Sequence, residues 1–294
     1  MDDQTSVDFL KWALPQLGLR WPGYRRVRHL VAKRLNRRLA ELGMADLADY
    51  RMFLANEPRE WARLDALCRI PISRFYRDRG VFDVISWQLL PEAAMKVSTR
   101  GGDAVRCWSA GCASGEEPYT VAMAWRLCVA DRWPALGLAV IATDADETML
   151  ERARAACYGP SSLKDVPEGW RKRAFTRQGA LYCLADEFRP DVELALQDIR
   201  RTMPDGPFDL VLCRNLAFTY FDKALQHRIL DRLRERIFPN GFLVLGSHER
   251  LPADGGFASF AANLPIYRCT APPTGALASA GLSTFRPDPH QPSR

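Results

Sequence analysis

The chain reads as a doubly wound α/β protein preceded by a small helical domain, and three features of its sequence predict this. From about residue 105 short apolar runs alternate with helical stretches, the pattern of mostly parallel strands buried between layers of helices. The first of these runs leads into a glycine-containing turn and the second ends on an aspartate, Asp144. Between residues 24 and 42, Val27, Leu30, Val31, Leu35, Leu39 and Leu42 recur at steps of three and four, while Arg26, Lys33 and Arg37 share another face, as in an amphipathic helix. With 294 residues, 47% of them hydrophobic and 26% charged, the chain can bury one large core and a smaller one.

In chain order, residues 9–17, 24–42 and 46–67 suit helices, with Trp21-Pro22-Gly23 marking a turn between the first two. Residues 1–70 are therefore expected as an N-terminal helical domain, 71–104 as a linker and helix, and 105–270 as the sheet domain. The expected strands are 105–109, 138–143, 192–196, 208–213, 242–246 and 266–269, and the expected helices 118–130, 147–156 and 222–237. The stretch 159–190 is longer than a plain crossover and contains Trp170, Phe175, Leu181, Tyr182 and Phe188, which predicts a helix and a small hairpin standing off the sheet. Residues 271–294 are rich in Ala, Pro, Ser and Gly without apolar period, as in a disordered tail.

The polar, acidic start lacks the positive region of a secretory signal, and no apolar run approaches the ~20 residues of a membrane span, so the expected location is cytoplasmic without membrane insertion. Eight cysteines lie mostly in apolar segments, with no CxxC pair and only four histidines, which predicts reduced, buried thiols and no metal site. The net charge of +6 is uneven: residues 9–40 hold nine Lys or Arg and no Asp or Glu. Such a field suits an acidic partner, whether nucleic acid, anionic membrane or acidic protein surface.

The turn after the first strand, around Gly111, places small residues where backbone must approach a ligand closely, although a tight turn alone would look the same. Asp144 at the end of the next strand stands where nucleotide-binding sheets hold ribose hydroxyls, and the two together favour a nucleoside cofactor. The long gap from Gly111 to Asp144 and the absence of a strict GxGxxG disfavour a nicotinamide dinucleotide. Glu116-Glu117-Pro118 then opens a helix, where acids commonly serve the helix dipole. A carboxylate beside this turn also suits the ammonium group of an amino-acid cofactor, namely S-adenosylmethionine (SAM). A phosphate would require the opposite charge.

Residues 108–119 (WSAGCASGEEPY), 142–146 (ATDAD) and 206–215 (GPFDLVLCRN) resemble successive motifs of the chemotaxis-receptor methyltransferases, the CheR family. Ile72-Ser73-Arg74-Phe75-Tyr76-Arg77 resembles that family's T-x-F-F-R segment, the basic helices match its small helical domain, and the similarity runs from about residue 8 to 270. The resemblance implies a SAM-dependent O-methyltransferase that converts glutamate side chains to methyl esters. It assigns Glu117 to the SAM amino group, Asp144 to the ribose, and Asp198 with Ile199 to the adenine edge. Ser73, Arg77, Gly111, Arg214 and Asn215 complete the cofactor shell. Arg77 would also orient the incoming carboxylate and Tyr220 would shape the methyl-transfer pocket, against plainer readings as a surface ion-pair residue and a core aromatic.

Three departures leave the acceptor open. Pro71 stands where the family has an asparagine, Leu-Ala-Phe-Thr between Asn215 and Tyr220 is one residue more than the usual spacing, and Gly246-Ser247-His248-Glu249-Arg250 resembles the G-H-S-E-N turn without reproducing it. The 159–190 insert is also short for the family's receptor-docking hairpin, which argues against high-affinity capture of a receptor's C-terminal tether peptide. Three readings follow: methylation of an acidic helical protein, such as a chemoreceptor's cytoplasmic bundle, docked by the basic helix; methylation of a small carboxylic acid or peptide; and a SAM-binding module without turnover. No RNA-binding signature supports a nucleic-acid partner.

Overall fold

The computed structural model describes residues 3–252 and 255–270. Its N-terminal part is α1 (Asp3–Gln16), α2 (Trp21–Tyr24), α3 (Arg28–Leu42), α4 (Leu47–Asn56) and α5 (Glu60–Cys68). The expected turn at Trp21-Pro22-Gly23 is instead the short helix α2, because proline fits the first helical turn, where its missing N–H costs nothing. The single helix expected over 46–67 is split into α4 and α5 around Pro58, whose ring and missing N–H disfavour a helix interior. Asp46 caps α4 by accepting from the backbone N–H groups of Ala48 and Asp49. In α3, Val31, Leu35 and Leu39 are buried at steps of four while Lys33 and Arg37 stay exposed.

After an extended stretch come α6 (Arg79–Val84), a π-helical turn (Ile85–Leu89) and α7 (Leu90–Thr99). The π turn lies just before Pro91, which has no N–H to donate to the turn before it. The chain then alternates through β1 (Ala104–Ala110), α8 (Glu116–Cys128), β2 (Gly137–Asp144), α9 (Glu147–Ala155), β3 (Cys157–Tyr158), α10 (Glu168–Ala174), β4 (Phe175–Gln178), β5 (Leu181–Leu184), β6 (Val192–Leu196), β7 (Phe208–Leu212), α11 (Ala217–Tyr220), α12 (Lys223–Arg234), β8 (Ile237–Val244), β9 (Phe257–Ser259) and β10 (Ile266–Cys269).

The main sheet has the order β6-β2-β1-β7-β8-β10-β9, parallel from β6 to β8, with β10 antiparallel to both β8 and β9. From β1 the chain builds outward to β2 and β6, then crosses back to β7 and β8. That reversal makes a topological switch point between β1 and β7, where open α/β sheets bind ligands beyond the carboxyl ends of their strands.

Side chains alternate across the sheet as a pleat requires. On one face Cys107, Leu210, Leu212, Phe242 and Val244 pack with α7 and α8. On the other Trp108, Ala110, Val211, Cys213, Leu243 and Leu245 share one continuous cluster with Leu10, Leu14, Leu35, Leu54 and Leu64 of the N-terminal helices. The helices and the sheet are thus joined through apolar side chains rather than by a linker alone.

The helix and hairpin expected within 159–190 are α10 and β4–β5, joined by β3 in a separate sheet of order β3-β5-β4. Here the expectation of eight reduced thiols is overturned. Antiparallel pairing sets Cys157 directly opposite Cys183, and the two form a disulfide. Cys68, Cys107, Cys112 and Cys213 are buried free thiols, Cys128 is half-buried, and Cys269 is buried outside the disulfide. The tail expected at 271–294 lies outside the described residues.

Leu35 is fully buried within the shared cluster. Leu35→Ala is expected to lower unfolding free energy by about 2–5 kcal/mol, the range for truncating a buried leucine. Denaturant unfolding should follow a single transition in both proteins; two separated transitions would show that helices and sheet are not coupled.

Candidate active site

Beyond β1 the backbone turns sharply. The N–H groups of Gly111 and Cys112 both donate to the Thr143 carbonyl, at 2.7 and 3.0 Å, which closes the turn against the end of β2. Gly111 has φ +76°, a conformation that side chains rarely adopt, and a Cβ there would stand 2.7 Å from Leu216 Cδ2 and require that side chain to shift. At the end of β2, Asp144 Oδ2 accepts from Ala113 N (2.8 Å) and Oδ1 from Asp146 N (2.9 Å). Burial raises the Asp144 pKa above the usual carboxylate value, and the two backbone donors oppose that rise.

Of the acids that open α8, only Glu117 faces the cleft. Glu116 is buried and accepts from the Ser114 hydroxyl, with Ser73 also against it. Glu117 Oε1 accepts from Ser109 Oγ (2.7 Å) and Oε2 from Arg214 Nη1 (3.2 Å). Arg214 follows β7, and its side chain is 2% exposed. Its Nη2 donates to Asp78 Oδ2 (2.7 Å) and to the Arg77 carbonyl (2.9 Å), and the guanidinium lies 5.1 Å from the centre of the Phe82 ring.

Arg77 is half-buried, its Nη1 donating to the Ile72 carbonyl at 2.7 Å, and it forms no ion pair among the described residues. Burial lowers its pKa, with Asp78 opposing and Arg214 reinforcing the shift; an arginine nonetheless stays charged. Tyr220, at the end of α11, stands 5.1 Å from the ring of Tyr24, and burial raises its hydroxyl pKa while nearby Arg77 lowers it.

Asp198, just past β6, accepts on both oxygens from Arg200, whose guanidinium also pairs with Asp65 of α5 at 2.6 and 2.7 Å. Burial alone would raise the Asp198 carboxyl, but Arg200 outweighs it and the net shift is downward. Asn215 has φ +54°, and its N–H donates to Glu249 Oε2 at 2.7 Å.

These groups converge. A cleft of about 1090 Å³, including its open mouth, is lined by Ser73, Arg77, Gly111, Glu117, Asp144, Asp198, Ile199, Arg214, Asn215 and Tyr220, every site residue that the sequence singles out. Tyr24, Asp65, Met149 and Arg200 line it too and were missed, as were the supports Arg20 and Glu249 behind it. Glu249 alone had a signal, as the acid of the 246–250 turn. Among the described residues no helix is long and apolar enough to cross a membrane, and no group of His, Cys, Asp and Glu could hold a metal ion.

The donor set fits SAM: a carboxylate beside the turn for an ammonium, a second at the end of β2 for vicinal hydroxyls, and apolar Met149 and Ile199 for a purine. The sequence model of the family described as "CheR methyltransferase, SAM binding domain" matches residues 72–263. The chain belongs to the CheR family. Its relatives include the chemotaxis protein methyltransferase of Salmonella typhimurium, 34% identical over 236 residues that cover 76% of each chain. The chemotaxis protein methyltransferase of Listeria monocytogenes is 31% identical over 196 residues, covering 66% of this chain and 71% of that one. An uncharacterised 104.1 kDa protein of Rhodobacter capsulatus is 32% identical over 223 residues, 75% of this chain but only 23% of the larger protein. Among solved structures, N-methyltransferase NodS from Bradyrhizobium japonicum matches with a TM-score of 0.36 and 14% identity, over 67% of this chain and 100% of NodS. This CheR-family chain is accordingly a SAM-dependent methyltransferase on a Rossmann-like sheet.

Arg214→Ala would leave Glu117 and Asp78 without their shared cation in a largely buried place. Breaking such a pair from one side is expected to destabilise the fold on the order of 3–5 kcal/mol. Chemical denaturation checks this; a loss below about 1 kcal/mol, the scale of an exposed ion pair, would contradict it.

Proposed function

We propose that this enzyme transfers the SAM methyl group to glutamate side chains of an acidic helical protein in the cytoplasm, a chemoreceptor's cytoplasmic bundle being the leading acceptor. The observation that carries this reading is the uncommitted guanidinium of Arg77, held in the same cleft as Glu117 and Asp144 but without a carboxylate of its own among the described residues. A planar cation with free donors suits an incoming carboxylate, which it can grip with two parallel hydrogen bonds. The names of the Salmonella and Listeria relatives support a chemotaxis protein as acceptor.

Glu117 keeps lone pairs beyond those taken by Ser109 and Arg214, enough for the SAM ammonium. Asp144 has one backbone donor on each oxygen and retains acceptor capacity for the ribose hydroxyls. Asp198 and Ile199 border the adenine end, while Ser73, Gly111, Arg214 and Asn215 close the shell. When bound, SAM supplies an electrophilic methyl on a sulfonium, so an ionised carboxylate needs no general base to become the methyl ester. The residues' work is then positioning, which can contribute about 7–11 kcal/mol when reacting atoms are held in line. Arg77 orients the carboxylate, and Tyr220, braced by Tyr24, shapes the space around the methyl group.

The N-terminal helices supply the docking surface. Several of their cations are spent internally: Arg28 on Asp3, Arg38 on Glu60 and Glu41, and Arg34 on the Leu67 and Arg69 carbonyls. Arg26, Lys33 and Arg37 are exposed and form no ion pair among the described residues, which leaves them for an acidic helix. Incubation with methyl-labelled SAM and a chemoreceptor cytoplasmic fragment tests the whole reading. Label in the protein fraction should be released as methanol by mild base; label confined to small molecules would replace the acceptor with a small carboxylic acid or peptide.

Arg77→Ala should lower kcat for methyl transfer far more than it weakens S-adenosylhomocysteine binding, with only partial recovery in Arg77→Lys. Equal losses in both measurements would make Arg77 a cofactor residue alone. Reversing Lys33 and Arg37 to Glu should raise KM for the protein acceptor, leave S-adenosylhomocysteine affinity unchanged and flatten the salt dependence of the rate. Unaltered kinetics across a salt series would reduce the stripe to a solubility feature.

A further inference from the structure

The turn 215–221 brings Asn215, Leu216 and Tyr220 to the cleft, and its own hydrogen bonds are few. Its helix, α11, is a single turn of four residues, held from within by Thr219 N and Tyr220 N on the Leu216 carbonyl (3.3 and 2.9 Å) and Phe221 N on the Ala217 carbonyl (3.1 Å). Gln226 of α12 donates to the Phe221 carbonyl at 2.9 Å, and further ties come from two distant places. On one side Glu249, 2% exposed, accepts from Asn215 N (2.7 Å) and Gly246 N (2.6 Å) on Oε2, and from the Thr219 hydroxyl (2.6 Å) on Oε1. One carboxylate thereby ties the turn to the loop after β8.

On the other side Arg20 meets the carbonyls. Its Nε donates to Thr219 O at 3.0 Å, its Nη2 to Phe218 O, and its own backbone N–H to Tyr220 O at 2.8 Å. The neighbouring backbone reinforces this grip: Leu19 bridges to Phe221, Asp222 N donates to Gly18 O at 2.9 Å, and a Cβ on Gly23 would fall 2.3 Å from Thr219 O. Neither Arg20 nor Glu249 lines the cleft.

We infer that Arg20 and Glu249 are positioning residues for methyl transfer, an external cation and anion that clamp the 215–221 turn and thereby fix Tyr220 in the cleft. This rests on the reading of the cleft as the methyl-transfer site. Unanchored, the turn loses its register, and displacement of a pocket wall by even 1 Å can cost about a hundredfold in rate.

The test uses the full chain, with amide hydrogen exchange over 215–221, titration with S-adenosylhomocysteine, and transfer from labelled SAM to a chemoreceptor cytoplasmic fragment. Arg20→Ala should speed exchange in the turn and lower kcat at least about tenfold, with S-adenosylhomocysteine affinity and acceptor KM within about threefold of wild type. Arg20→Lys should recover part of the loss, since one ammonium lacks the fork that reaches both carbonyls. Glu249→Ala should likewise speed exchange and lower kcat, and because Glu249 also holds Asn215 of the cofactor shell it should weaken S-adenosylhomocysteine binding as well. Glu249→Gln should stay near wild type, because the amide oxygen can accept both N–H groups while its NH2 donates to Thr219.

In a Tyr220→Ala background Arg20→Ala should cost less than about twofold in kcat, since the ring it positions is gone. Full, multiplicative losses there would overturn the inference, as would unchanged exchange or unchanged kcat in Arg20→Ala. If Glu249→Ala fails to fold, the Arg20 series decides. The underlying reading fails separately: it predicts that Asp144→Ala weakens S-adenosylhomocysteine binding about 10- to 150-fold, the loss of a charge-assisted hydrogen bond. Unchanged affinity in that variant sinks the cofactor assignment, while exchange in Arg20→Ala still reports on the clamp without any acceptor.

Discussion

The cleft depends on one buried cation. The Arg214 guanidinium, at the end of β7, joins Asp78 and the Arg77 carbonyl from the segment before the sheet to Glu117 at the start of α8, with Phe82 beside it. Burying an arginine is costly unless its donors are met by well-placed acceptors, so the three segments have few other ways to meet there. The arrangement holds the upstream segment over the carboxyl ends of the strands and directs Glu117 toward the turn at Gly111. It also pairs the charge of Arg214, whereas Arg77 forms no ion pair among the described residues.

The rest of the site follows from the sheet. Reversal of direction between β1 and β7 opens a crevice at the strand ends, and Gly111, Asp144, Asp198 and Arg214 all sit just beyond or at such an end. Acids gather on the β1–β2 side, where the amino-acid and ribose parts of SAM are proposed to lie, and Arg77 stands with Tyr220 and Tyr24 at the proposed acceptor end. The N-terminal helices help to build the site. Tyr24 and Asp65 form part of the cleft wall, and the Asp65–Arg200–Asp198 chain ties α5 to the end of β6. A shared apolar cluster fixes those helices to the sheet.

Local patterns in the sequence were read well and distant pairings were not. Strands β6 and β10 lie at the expected positions, and β1 and β2 extend the expected runs by a residue at each end, because each is an apolar run bounded by polar or small residues. Strand β8 begins at Ile237, ahead of the apolar run expected at 242, since Pro239, Asn240 and Gly241 disguise its first half. Strands β3 and β9 are too short to have a period, and with β3 hidden nothing suggested that Cys157 would face Cys183. All the singled-out site residues meet in one cleft, because they sit in turns whose small and acidic residues are contiguous in sequence. Arg20 and Glu249 escaped notice because each acts on backbone groups of a remote turn, and an arginine or a glutamate alone carries no mark of such a partner.

The crevice between β1 and β7 is proposed to hold SAM with its amino group at Glu117 and its ribose at Asp144. A crystal structure of the full chain with S-adenosylhomocysteine tests it most directly. The ligand is expected in this cleft, its ammonium and ribose hydroxyls within hydrogen-bonding distance of those two carboxylates and its sulfur facing Arg77 and Tyr220; a ligand bound elsewhere, or one whose ribose lies away from Asp144, would contradict this placement.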